Sequence, residues 1–299
     1  MEKEKIAVKP PTELEKQVEI LKNRGLFFDN DTEAIRTLEH INYYRLRGYY
    51  IHLQKEDVFE KGVSFNQIIA LHNFDSELRL LLLSVLLDVE IVARARISYI
   101  IAHAWGAMGY REKSNYSCSP DKVDELMDKL DADLKQSNER FIKTHQDKYG
   151  GQFPIWVAVE VMSFGDLSKL YSLLPTSLKK NIANAYDYLD EKLLTNWIHG
   201  ASVLRNVCAH NGRIYNRNIP TPITIEAEML NHVNAITGGK FTVYPQSFFA
   251  YLLALRRIST KDAWGTFMAG FCHLVHKYDG LIELRRLGIP YQWKSLLIR

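Results

Sequence analysis

The chain has 299 residues and a mass of 34.6 kDa; 46% of its residues are hydrophobic, 24% are charged, and the net charge is +3. That balance excludes a disordered chain, and a chain of this length buries roughly 70 to 75% of its unfolded surface, so its core needs no covalent staples. Cys118, Cys208 and Cys272 lie far apart and make neither a disulfide framework nor a C-x-x-C knuckle, a usage that fits a reducing cytoplasm.

The opening Met1-Glu-Lys-Glu-Lys5 mixes charges and leads into no apolar segment, so no secretory signal is predicted. Apolar runs such as Leu80-Leu-Leu-Leu83 fall far short of the roughly 20 residues a bilayer span needs, and no membrane partner is expected. Further on, Tyr43, Tyr44, Arg45, Arg47, Tyr49 and Tyr50 interleave rings with cations. Tyr44, Arg45 and Arg47 are candidates for stacking bases and gripping phosphates, while Tyr43 and Tyr50 are equally placed for a core.

Ser64-Phe-Asn-Gln67 reads as a capping box. It opens a stripe of Ile68, Leu71, Phe74, Leu78, Leu81, Val85, Val89 and Val92 at helical spacing, with no Gly or Pro before about Trp105. A long central helix is predicted. Ser119-Pro120 starts another helix, expected to carry on to His145, and Pro154 starts a short one through Val161. Gly165-Asp166 reads as a break before two more pieces. Asp190 then opens a helix with the stripe Leu193, Trp197, Ala201, Leu204 and Cys208, stopped by a left-handed Asn211-Gly212 cap. Beyond a proline-containing connector, Phe241-Thr-Val-Tyr244 is at most a small irregular or extended element, and helices resume near Pro245 and Thr260. Residues 251–299 hold eight lysines and arginines against three acids, net +5, so the remainder is net −2. That end reads either as the footprint for a phosphate-rich partner or, equally, as a solvated basic helix face. The expected fold is all-α, with an N-terminal helical extension (1–62), a core (63–218) and a basic C-terminal helical region packed on it (219–299).

Chemistry concentrates in Leu204-Arg-Asn-Val-Cys-Ala-His-Asn-Gly-Arg-Ile-Tyr-Asn-Arg217. On an ideal helix Asn206 and His210 are about 40° apart and share a face, whereas Arg205 and His210 are about 140° apart. One copy alone does not bring all three together, but two copies about a two-fold axis along this helix would, which suggests a homodimer with a composite cleft. Histidine and arginine suffice to cleave RNA by its own 2′-hydroxyl: His210 moves protons near neutrality and Arg205 holds the phosphate through its planar fork. Asn206 and Asn211 orient the imidazole or bind sugar, and Arg213, Tyr215, Asn216 and Arg217 supply further RNA contacts. The spacing alone is weak evidence, since Arg140-Phe-Ile-Lys-Thr-His145 repeats it without the following asparagines.

The 204–217 run resembles the signature of the Abi-like family of bacterial abortive-infection proteins, the AbiD/AbiF type, within the HEPN superfamily. Ile41-Asn-Tyr-Tyr-Arg-Leu-Arg-Gly-Tyr49, Phe74-Asp-Ser-Glu-Leu-Arg79 and Pro154-Ile-Trp-Val-Ala-Val-Glu-Val-Met-Ser-Phe-Gly165 resemble its other blocks, in order. The resemblance implies a HEPN-type helical bundle that dimerises and cleaves RNA without a metal at Arg-Asn-x-x-x-His, here Arg205, Asn206 and His210. It further implies anti-phage defence by growth arrest and a small structured RNA that restrains the toxin. No cofactor is expected. Glu90 and Glu160 are each placed either to orient an arginine or to pair locally. His273-Leu-Val-His276 beside Cys272 is too sparse for a metal site, and no phosphate loop, Gly-x-Ser-x-Gly elbow or His-Glu-x-x-His motif occurs. The competing readings are a catalytically silent HEPN module that binds RNA and a purely structural helical interaction protein.

Overall fold

The structure, a computed structural model, describes residues 10–298; the charged opening Met1-Glu-Lys-Glu-Lys5 and Arg299 lie outside them. Fourteen α-helices carry the described residues, and the one sheet among them is Gln54–Lys55 (β1) paired antiparallel with Val58–Phe59 (β2). Glu56 and Asp57 join the two strands with φ of 51° and 63°, both left-handed, the backbone a two-residue hairpin favours. The all-α expectation holds. Two compact units emerge: residues up to 77 with 275–282, and 78–274 with 283 onward.

The first unit contains α1 (Leu14–Asn23), α2 (Asp31–His40), α3 (Tyr43–Tyr50) and the opening turns of α4 (Phe65–Trp105). Asn30 and Asn42 cap α2 and α3 by accepting backbone N–H bonds at 2.8–3.2 Å. Val18, Leu21, Leu38, Leu46, Tyr49 and Tyr50 form its core. The Tyr49 hydroxyl donates to the buried Asp75 carboxylate at 2.7 Å. Residues 275–282 join through Glu77, which accepts from Lys277 Nζ and the Tyr278 hydroxyl, each at 2.7 Å.

The second unit is built on the rest of α4. Ser64 Oγ accepts the Gln67 N–H at 3.2 Å, so the box starts the helix as its sequence says, and 41 residues follow without interruption. Leu78, Leu82, Val85, Leu86, Val89, Ala93, Ile97 and Ile101 point into the core. The sequence stripe through Leu81 and Val92 drifts off this face, because both lie at its margin and are only half-buried. The unit further contains α5 (Pro120–Gln136), α6 (Arg140–Lys148), α7 (Ile155–Val161), α8 (Phe164–Leu173), α9 (Thr176–Asn184), α10 (Glu191–Ala209), α11 (Ala227–Thr237), α12 (Phe248–Ile258), most of α13 (Lys261–Lys277) and α14 (Trp293–Leu297).

Three elements differ from expectation. The helix expected to reach His145 is two, because Ser137 turns extended (ψ 130°) and its hydroxyl accepts the Glu139 N–H, a local bond that competes with the helix ladder. Gly165 does not break the chain; Ser163 caps α8 through the Asp166 N–H, leaving Gly165 inside the first turn. Helix α11 was not foreseen at all, and it closes on Gly238 in the left-handed conformation (φ 64°). Among the described residues no helix is long and apolar enough to cross a membrane.

Leu86 is fully buried, whereas Ser84 on the opposite side is exposed. Leu86→Ala should lower the unfolding free energy by about 3 kcal/mol in urea denaturation, and Ser84→Ala should change it by less than about 0.5 kcal/mol.

Candidate active site

Helix α10 carries the candidate residues Arg205 and Asn206 and ends at His210, and its placement follows from its apolar face. Asp190 Oδ1 caps its start, accepting from the Lys192 and Leu193 N–H groups at 2.8 and 3.1 Å. Leu194, Trp197, Ile198, Ala201, Leu204 and Cys208 are buried, and the helix packs on α8, α9 and α12. Trp197 Nε1 donates to Thr224 O at 2.8 Å, and Asn196 both donates to Pro222 O and accepts the Thr224 N–H, so the connector after the motif is stitched back onto the same helix.

The helix ends at Ala209 and His210 is the residue that caps it. Asn211 is left-handed (φ 56°), its N–H reaching Cys208 O at 3.2 Å, while the Gly212 N–H reaches Val207 O at 2.7 Å. This is the paired closure of a Schellman turn. A Cβ on Gly212 would stand 2.9 Å from Val207 O and 2.8 Å from Val207 Cγ1, so glycine is required there by contact rather than by φ. The closure leaves His210 and Asn211 exposed at the negative end of the helix, where a cation is favoured.

Arg205 points instead toward α4. Its Nε and Nη2 both bond Glu90 Oε2, at 3.2 and 3.1 Å, and its Nη1 reaches Asn206 Oδ1 at 3.2 Å. The same carboxylate receives Arg94 Nη2 at 2.5 Å, and that nitrogen also donates to Met162 O at 2.7 Å. The Glu90 side chain is 7% exposed, that of Arg94 12% and that of Arg205 26%. One buried carboxylate between two guanidiniums leaves the cluster at net +1, and Arg94 Nη1 is buried with no hydrogen-bond partner among the described residues. The arrangement fixes the inner edge of Arg205 and turns its Nη1 side toward Asn206 and solvent, a pre-set fork for an anion.

The remaining candidates divide. Arg213 Nη1 donates to the Tyr215 and Asn216 carbonyls, both at 2.9 Å, and so braces the loop. Tyr215 is buried, its hydroxyl accepts the Glu283 N–H at 3.0 Å, and burial pushes its phenol above the ordinary value. Asn216 and Arg217 line a cleft of about 350 Å³ together with Arg285 and Arg286 of the basic C-terminal segment. Tyr44 and Arg47 are exposed and Arg45 Nε donates to His72 Nε2 at 3.2 Å; these three belong to the first unit, the others to the second. Glu90, placed by the sequence either to orient an arginine or to pair locally, does both, holding its neighbour Arg94 and the distant Arg205, while Glu160 is exposed. The signal for it was a Glu-x-x-x-Arg pair set in an otherwise apolar stretch of helix. In the second Arg-x-x-x-x-His copy, His145 packs against Tyr149 and Phe153. Among the described residues no three of His, Cys, Asp and Glu gather as metal ligands.

A family model described as Abi-like protein matches residues 36–216, well over half of the chain, and its match ends with the loop that follows the α10 motif. Comparison with curated proteins and with solved structures gives no match.

Removing the charge of Glu90 strands two guanidiniums. Glu90→Gln should lower stability by about 2 kcal/mol in urea denaturation, below the ~3–5 kcal/mol of a fully buried pair because Arg205 keeps some solvent.

Proposed function

Because the chain belongs to the Abi-like protein family, the group tied to abortive infection, we propose that it is a metal-independent HEPN-type endoribonuclease that acts as a cytoplasmic defence toxin and works as a homodimer. The observation that carries this reading is the two-point clamp of Glu90 on Arg205, which presents a guanidinium edge at Asn206 on the helix whose exposed end is His210.

In the reaction the 2′-oxygen of the substrate forms a bond to phosphorus as the bond from phosphorus to the 5′-oxygen breaks, leaving a 2′,3′-cyclic phosphate and a 5′-hydroxyl. An imidazole accepts the 2′-hydroxyl proton and an imidazolium returns one to the departing 5′-oxygen, the tasks of a base and an acid near neutrality. Two copies of His210, one from each protomer, fill both roles. Arg205 holds the charge that builds on the phosphoryl oxygens, and because Glu90 and Asn206 fix it beforehand, little reorganisation is needed when that charge appears. Asn206 and Asn211 orient the imidazole or bind sugar, and Asn216 with Arg217 extends the contact to neighbouring phosphates. Arg213 and Tyr215 act by shaping the loop. Tyr44, Arg45 and Arg47 provide a further RNA surface on the first unit, and a small structured RNA bound to the protein restrains it.

The dimer has its own support. Leu80, Leu87 and Ile91 are 68%, 50% and 66% exposed on one stripe of α4, with Leu87 one turn before Glu90 and Ile91 the residue after it. An apolar stripe left in water beside the residue that holds Arg205 suits a two-fold contact bringing two α10 ends together.

With total RNA and EDTA, wild-type protein stripped of nucleic acid should yield cyclic-phosphate ends, and His210→Ala should cleave at least about 100-fold more slowly while still binding RNA. Undiminished cleavage by His210→Ala overturns the reading. Ile91→Glu should convert a particle of two chains to one chain in light scattering and abolish cleavage without lowering the melting temperature.

A further inference from the structure

A second basic surface lies outside the cluster described so far. Between α8, α9 and α10 runs a cleft of about 720 Å³ whose charged lining is Lys169, Lys179 and Lys192, with His199 at its far end and no carboxylate among the lining residues. In a chain of net charge +3, three lysines facing one cleft form a concentrated positive field. Lys169 is partly engaged, its Nζ 2.8 Å from Glu125. Among the described residues Lys179 Nζ reaches the Ser172 carbonyl at 3.4 Å, a contact at the limit of a hydrogen bond, and Lys192 is exposed.

The register of α10 ties this cleft to the candidate site. At about 100° per residue, Lys192, Asn196, His199, Asn206 and His210 all fall within about 80° of one another. At about 1.5 Å per residue, His199 lies about 10 Å and Lys192 about 21 Å along the axis from Asn206. One face of a single rigid helix therefore runs from the lysine cleft to the exposed histidine. Asn196 holds its place on that face through the Pro222 and Thr224 backbone, so the floor of the cleft is fixed rather than adaptable.

We propose that this cleft binds the phosphates of the RNA strand on one side of the scissile bond, and that Lys179 and Lys192 are its principal contacts. The inference rests on the ribonuclease reading and adds a substrate track to it. An RNA strand is favoured over an acidic protein segment because the cleft shares a helix face with Asn206 and His210, and because Ser168, Thr195 and Asn196 stand among its lining residues to bond phosphate and sugar oxygens. Lysine point charges along a cleft suit backbone contacts without base selection.

The test uses the full chain carrying His210→Ala, so that bound RNA stays intact, and a labelled single-stranded RNA of mixed sequence titrated from 50 to 300 mM KCl. Lys179→Ala combined with Lys192→Ala should weaken binding more than about tenfold at 0.1 M salt and reduce the slope of log K against log salt by about 1.4, about 0.7 for each lost phosphate contact. The paired Lys→Arg variants should restore both. In the active protein the double alanine variant should raise KM for long RNA and leave kcat and dinucleotide cleavage unchanged. An unchanged slope and KM, with wild type still binding and cutting RNA, overturns the track and spares the ribonuclease reading. Competition by poly-glutamate that depends on the two lysines, with RNA binding unaffected by them, assigns the cleft to an acidic partner and overturns it equally. Wild type that neither binds nor cuts RNA removes the ribonuclease reading and this inference with it.

Discussion

A buried carboxylate shared by two arginines is the constraint on which the site depends. Glu90 cannot be buried as an ion without compensation, and Arg94 alone, one turn along the same helix at 2.5 Å, would provide it. The second guanidinium comes from α10, 115 positions away in sequence, so the pairing does more than stabilise α4. It fixes the rotation of α10 about its axis near Arg205, and with it the direction in which Asn206 and His210 face. Because Arg94 also reaches the Met162 carbonyl between α7 and α8, one charge cluster ties three separate stretches of chain. The excess of one positive charge is what makes such a cluster useful for an anion, and the low exposure of Glu90 keeps that charge from being screened away.

The rest of the second unit supports this arrangement. The unbroken length of α4 carries Glu90 on a rod whose buried side is aliphatic from Leu78 to Ile101. Helix α10 is held on its other side by Trp197, Asn196 and the Tyr251 hydroxyl, which bond the 221–224 backbone. The loop after His210 is braced by Arg213 from within and by Tyr215 from the C-terminal segment at Glu283. Residues with the look of an RNA-binding run thus divide between positioning the backbone and facing solvent.

Much of this was legible in the residues. The cap at Ser64, the start at Asp190 and the left-handed stop at Asn211 are local signals, decided by hydrogen bonds within a few positions, and each stands where the sequence puts it. The run holding Arg205, Asn206 and His210 stood out by its density of polar groups within 14 positions. What escaped was non-local or finely balanced. Glu90 could be read either as half of an ordinary i, i+4 pair or as the partner of a further arginine, and nothing in the sequence shows that Arg205 would come to it. The break at Ser137 turns on one hydroxyl bond competing with a helix ladder, and Ala227–Thr237 has too weak an apolar stripe, with only Val233 and Thr237 buried, to announce itself. The lysine cleft draws on three helices and so has no linear pattern.

The chain crosses between its two units more than once, and this orders events during synthesis. Residues 275–282 complete the unit begun by the first 77, through Glu77 with Lys277 and Tyr278, and Glu283 then returns to brace Tyr215. At about 5 to 20 residues per second, a ribosome needs about 10 to 40 s to pass from one part of the first unit to the other. Arg205, Asn206 and His210 are made about two thirds of the way through that interval, and Glu283, which braces the loop after them, is made only once it is over. The brace on the loop after His210 is therefore among the last contacts that the second unit can form as it is made, and until then that loop is held by Arg213 alone of the two.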